Sequence, residues 1–272
     1  MFDEESPLEL LMPSADLADA IERCLALEAE LGKLGRTPVN APWAQFPWHA
    51  CAKALARFSL YTKGFNPDAP LPEYEVLHTL STELGIMSPT DFREQFLHIT
   101  EGNPITRLYR KLTNAANVRK LLTDENTFGW SGFQPSASDR EAARAMTRRR
   151  MVVDAFRESD DWSRLRALEL SDAAALLMLA IEAGVLTVAA AERYEARCVT
   201  EAAVRFENWG SFAAALLRAR LFVLAQEEGA ELTLTLERDA AFLRASLTEQ
   251  WQTLSWPEFT DGEPPLSVPT RL

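Results

Sequence analysis

The sequence predicts an all-α protein, a single bundle of about ten helices with a proline-rich C-terminal tail. Three observations carry this. Apolar residues return every three or four positions through most of the 272 residues. Prolines and short polar residues stand where those runs begin, and glycines where they end. Only one segment alternates like a strand, and it has no partner.

Each element can be justified in turn. After Pro13, Ser14 can cap a first helix carrying Leu17, Ile21, Leu25 and Leu31 before Gly35. A proline-bearing connection, 36–47, ends at Pro47, which suits a first helical turn because its missing N–H has no partner there anyway. The second helix places Trp48, Cys51, Leu55 and Phe58 on one face and stops at Gly64. Pro72 opens a third through Val76, Leu77, Leu80 and Leu84, closed by Gly85. Ser88-Pro89-Thr90-Asp91 is a proline-started cap for a fourth through Phe92 and Phe96 to Gly102. Asn103-Pro104 repeats the device for a fifth through Leu108, Leu112 and Leu121.

The loop 123–137, rich in Gly, Ser, Asn and Thr, is the best internal boundary, so one domain with lobes 14–122 and 138–255 is an organisation it allows. Beyond it, Ser138 and Glu141 have capping-box spacing, ahead of Met146, Val153 and Phe156. A helix from near Asp161 toward Gly184 is expected to break near Leu170–Asp172. The last three are expected at Val188–Phe206, Trp209–Glu228 and Leu236–Leu254. The alternation Leu232-Thr233-Leu234-Thr235-Leu236 is read as an approach to the final helix. The tail 256–272, with Pro257, Pro264, Pro265 and Pro269, should be extended.

Composition narrows the function classes. The N-terminal residues hold Asp3, Glu4 and Glu5 and only a short apolar run, unlike a secretory signal. The longest apolar stretch, Ala173–Ala183, is interrupted by Glu182, so no membrane span is expected and the protein is expected in the cytoplasm. Cys24, Cys51 and Cys198 are widely spaced in apolar helical patterns and read as buried free thiols. A formal charge of −12 opposes the phosphate backbone, which argues against a nucleic-acid ligand and suits a basic protein partner.

Candidate chemistry is sparse. Glu94 and His98 lie one helical turn apart without a second ligand pair, so no metal is expected. His49 and Cys51, two apart on a helix, face different sides. Nucleophile elbows and phosphate-binding glycine loops are missing, and no cofactor is expected. Arg140, Arg144 and Arg148 share a face, with Arg149, Arg150 and Arg157 beside them. Asp139, Glu141 and Asp154 are near enough to make this a solvated, self-paired surface, with an anion or nucleic-acid site as the alternative. Two groups are candidates for contacting a partner. One is Trp130 with Phe133 in an aromatic-glycine loop, where local packing is the alternative. The other is Glu227, Glu228 and Glu231, where a solvated helix end is the alternative.

The stretch Leu168–Gln226, with the upstream Pro42-Trp43 or Pro47-Trp48 and Leu84-Gly85-Ile86, resembles a bacterial all-helical family known as a domain of unknown function. That family has a Trp-Asp-x-x-Arg motif, a helix-ending Gly-Tyr-Leu before a Ser or Thr cap, a Ser-Trp and a later Gly-Arg. Gly184-Val185-Leu186-Thr187 matches the helix end, Trp209 the later tryptophan and Arg220 the arginine, with Ala219 in place of glycine. Leu168, Glu169 and Asp172 stand where the first motif has Trp, Asp and Arg, so that motif is degenerate here. The resemblance implies a structural signature of Glu169, Asp172, Gly184, Trp209 and Arg220, with Glu169 and Arg220 as a buried pair locking two helices.

The function expected on these grounds is a non-catalytic, cytoplasmic protein-binding protein. It would be an immunity or adaptor protein that neutralises or escorts a basic secreted toxin, a nuclease being one such toxin. The alternatives are a small hydrolase-like enzyme using Glu169, Asp172 and Arg220 in an inter-helix cleft, and an oligomeric scaffold or regulator.

Overall fold

The computed structural model describes residues 15–35, 47–114, 137–156, 162–226 and 231–256. These form the helices α1 (Ala15–Lys33), α2 (Trp48–Thr62), α3 (Glu73–His78), α4 (Pro89–Thr100), α5 (Pro104–Asn114), α6 (Ala137–Ala155), α7 (Arg166–Glu182), α8 (Val188–Arg205), α9 (Trp209–Leu224) and α10 (Leu232–Ala245). Among the described residues there is no strand, so the all-α expectation of about ten helices holds. None of these helices is long and apolar enough to cross a membrane.

α7 is the axis of the bundle. Of its 17 residues 14 are buried, on every side, which marks a helix enclosed by others. It packs on α2, α4, α5, α8 and α9, while α1 lies along α9 and α10. Helices from both sides of 123–137 therefore share one core. Small residues let α2 and α7 approach closely. Ala52 and Ala56 on α2 and Ala167 and Ala174 on α7 are fully buried. Between them the Ser171 hydroxyl donates to Leu55 O at 2.7 Å and accepts from Ser59 N at 3.2 Å, inserted beside one turn of α2.

The caps follow the sequence. Ser88 Oγ accepts from Asp91 N, Thr187 Oγ1 from Ala190 N, and Asn208 and Ser211 form a reciprocal capping box. Gly64, at φ +87°, ends α2, with Gly64 N donating to Tyr61 O and Phe65 N to Leu60 O, the paired bonds of a Schellman motif.

Several expectations are corrected. α1 buries Leu17, Ala20, Cys24, Leu27 and Leu31 and leaves Leu25 44% exposed. Spacings of three and four stay on one face, whereas steps of four from Leu17 drift round the helix, and the small residues Ala20 and Cys24 complete the true stripe. After α3 the chain widens into a π-helix, Thr79–Glu83; Val76 and Leu80, four apart, are buried, and Leu77 is not. α7 runs unbroken through Leu170–Asp172, preceded by a 3-10 turn at Trp162–Leu165. The Leu232–Leu236 alternation is itself the start of α10, where Leu232 and Leu236 are buried four apart. α10 stops at Ala245, and a π-helix (Ser246–Gln250) and a 3-10 turn (Trp251–Thr253) follow. α9 ends at Leu224, short of the expected Glu228. α6 starts at Ala137, one residue ahead of the expected cap Ser138.

The basic helix also turns inward. Arg148 Nε donates to Ala225 O at 3.0 Å, meeting the negative C-terminal end of α9. Arg149 donates to Gln226 and lies over the Phe222 ring, and Arg150 reaches Asp154 and Leu112 O. Arg148 and Arg149 are therefore packing and end-capping groups, not a solvated surface.

Candidate functional site

The buried charges lie where helices meet. Arg166 and Glu169, three apart on the first turn of α7, are both buried and paired at 2.9 Å. Arg166 also donates to Ile99 O and Thr100 O at the end of α4 and to Glu201 of α8 at 2.7 Å. Burial alone would lower its pKa; the Glu201 and Glu169 carboxylates outweigh that and hold it raised. Glu169 Oε1 accepts from Ile105 N at 2.8 Å and Thr106 N at 3.0 Å, the free amides opening α5. Its Oε2 accepts from Thr106 Oγ1 and from Arg166. All four acceptor positions of the carboxylate are thus occupied. One ion pair satisfies the last carbonyls of α4 and the first amides of α5, fixing both ends to the central helix.

The other signature residues go elsewhere. Asp172 pairs with Lys63 Nζ at 2.8 Å. Arg220 donates to Asp239 of α10 at 3.2 Å, and that buried carboxyl is raised above its ordinary pKa by desolvation, which Arg220 opposes. The Glu169–Arg220 lock is therefore not formed: each group has a different partner. The three polar groups of the cleft envisaged for an enzyme likewise bind Arg166, Lys63 and Asp239 rather than one another. Gly184 sits at φ +70°, where a side chain would be strained, and ends α7. Trp209 stacks on Trp251 at 4.9 Å and meets Trp256 edge-on at 4.7 Å, its Nε1 donating to Leu254 O. Trp256, the first residue of the expected tail, is buried and donates to Phe206 O. The crevice lined by Cys51, Leu55, Val199, Ala202, Trp209 and Trp256 leaves no room for a water molecule.

Of the expected partner-contacting residues, Trp130, Phe133, Glu227 and Glu228 lie outside the described residues; Glu231 is exposed immediately before α10.

Three arrangements were not visible in the sequence. Arg218 of α9 grips Glu28 of α1 with both Nε and Nη2, its guanidinium 4.4 Å from the Phe156 ring centre. His49 Nδ1 lies 2.6 Å from Glu195 Oε1, joining a half-exposed imidazole on α2 to a buried carboxylate on α8. Both pairs span more than 140 residues of chain, which no local spacing reveals. The third is a surface. Tyr74, Leu77 and Met87 are 78, 44 and 74% exposed around α3 and the turn that follows it.

All three cysteines are free and buried. Burial pushes the Cys51 and Cys198 thiols up to about 12 and raises Cys24 well above the ordinary range, which suppresses the nucleophilic thiolate. Among the described residues no three His, Cys, Asp or Glu side chains converge as a metal site would require. Compared with protein-family models, with curated proteins and with solved structures, the chain matches none.

Proposed function

We propose that this chain is a cytoplasmic, non-catalytic protein-binding protein of the immunity or adaptor type, whose partner is a basic protein such as a secreted toxin. One observation carries the reading: the interior is close to charge balance, so the acidic excess lies outside it. Among the described residues, the buried side chains that are formally charged at pH 7 are Glu28, Glu169, Glu195 and Asp239 against Arg57, Arg166 and Arg218. The formal charge of the whole chain is −12. Such a field speeds encounter with a basic partner and selects against acidic ones. The likeness to the bacterial all-helical family belongs to the same proposal. It is supported by the roles of Gly184 in ending α7, Trp209 in anchoring the aromatic cluster and Arg220 in tying α9 to α10.

The test is affinity purification of the full chain from its native host at low and high salt. A stoichiometric, basic co-purifying protein released by salt is expected. Recovery of the chain alone, or hydrolytic activity in the purified chain, overturns the proposal.

A further inference from the structure

The exposed apolar residues of this molecule are not distributed alike. Val188 and Val204 stand at opposite ends of α8, about 24 Å apart at the helical rise, too far to share one patch. Tyr74 and Leu77 are three apart on one face of α3, a helix only six residues long. Met87 follows the return of the chain, where Ile86 N donates to Leu80 O. Leu77 is out of the core because Val76 and Leu80, four apart, form the buried face and Leu77 lies beside it. Tyr and Met are among the side chains enriched at protein interfaces, and the flexible Met thioether adapts to a partner's shape.

The stretch of chain that carries this face is predominantly acidic. Between Pro72 and Gln95 the chain has five carboxylates, Glu73, Glu75, Glu83, Asp91 and Glu94, against the single Arg93. Asp91 is engaged at the start of α4, accepting from Ser88 Oγ and Met87 N, which hold its carboxyl below the ordinary range. Glu73, Glu75, Glu83 and Glu94 are exposed, and Glu83 lies 3.8 Å from His78.

We propose that the outer face of α3 and the turn after it, which carry the exposed Tyr74, Leu77 and Met87 and the exposed carboxylates Glu73, Glu75 and Glu83, docks a Lys/Arg-rich segment of a partner protein. That segment presents one or more apolar side chains between its basic ones. The inference rests on the protein-binding reading and names its surface. The apolar residues supply the desolvated contact, and the carboxylates select and orient a basic segment. An acidic segment meets like charge, and a second copy of this chain would bring the same carboxylates against each other.

The experiment uses the full chain with the photoreactive residue p-benzoylphenylalanine in place of Tyr74 or, as a control, Val204, illuminated in the native host. The expected result is an adduct at 74 and not at 204. Its cross-linked partner peptide should be rich in Lys or Arg, and its yield should fall with salt. The double variant Tyr74→Ser/Leu77→Ser, with unchanged helical content and melting temperature, should lose about tenfold or more in recovery of that partner. An acidic partner peptide, an adduct with a second copy, or equal adducts at 74 and 204 overturns the proposal. If the tagged chain co-purifies a partner but position 74 gives no adduct and the double variant retains it, this surface is wrong while protein binding stands. If no partner is recovered by either route, both fail.

Discussion

Arg166–Glu169 and Arg220–Asp239 are both arginine–carboxylate pairs inside the bundle, and they are built very differently. Glu169 accepts four hydrogen bonds, from two backbone amides, a hydroxyl and a guanidinium. Among the described residues, the Asp239 carboxylate accepts one hydrogen bond, at 3.2 Å, from Arg220, whose side chain is partly exposed. The first pair recovers its desolvation cost through bonds to helix ends that would otherwise stay unmet. The second leaves a buried carboxylate under-bonded, and its raised pKa is the sign of that. A buried ion pair stabilises to the extent that its remaining lone pairs are filled, so residues of one chemical type predict opposite outcomes on mutation.

The largest separation should come from Glu169→Ala. It removes one of the two carboxylates paired with buried Arg166 and frees the first amides of α5, and should cost about 3–5 kcal/mol in denaturant unfolding. A loss under about 1 kcal/mol would remove the distinction between the pairs. Thr106→Val keeps the shape and deletes one donor to Glu169, for an expected loss of roughly 2 kcal/mol, that of a hydrogen bond to a charged group. Arg220→Ala should cost less, about 1 kcal/mol, because Asp239 can take up a proton instead of remaining an unpaired charge. Smallest at neutral pH should be Asp239→Asn, within about 0.5 kcal/mol of wild type or more stable, since the amide can still accept from Arg220.

The same variant tests pH dependence. Asp239's folded pKa lies above its unfolded one, so its stabilising contribution is complete below about pH 3.9 and declines as pH rises through the folded value. The stability of Asp239→Asn relative to wild type should therefore increase as pH is raised from about 4. Arg220→Ala should move that rise to higher pH. A flat difference would mean that Asp239 is better bonded than its contacts indicate.

What was legible in the sequence was local. Starts such as Ser88-Pro89 and Pro104 and ends such as Gly64 and Gly184 act within four residues, and the structure has them where spacing placed them. The α1 stripe is obscure in the sequence because two of its members, Ala20 and Cys24, are small, whereas the larger Leu25 faces outward. The π-helices, which add a residue to a turn, stand at Thr79–Glu83 and Ser246–Gln250, inside stretches whose spacing predicted plain α-helix to Leu84 and to Leu254. The charge partners were beyond reach for another reason. Glu169 meets α5 some 63 residues earlier in the chain, and Arg218 meets Glu28 across 190. Such pairings follow from how helices cross, which single-chain periodicity does not encode.

The crossing of α1 and α9 is set by glycines. A Cβ on Gly210 would lie 2.5 Å from Gly35 N and 2.8 Å from Leu31 O, and one on Gly35 would strike the Asn208 cap. Most crowded positions in a core can be rescued by trimming the neighbour. Here the obstacle to Gly210 is backbone, and the neighbouring residue is already the smallest there is. No second-site substitution at Gly35 can make room, so a suppressor of Gly210→Ala must act by moving a whole helix, and random searches for one should return changes spread along α1 rather than at the contact.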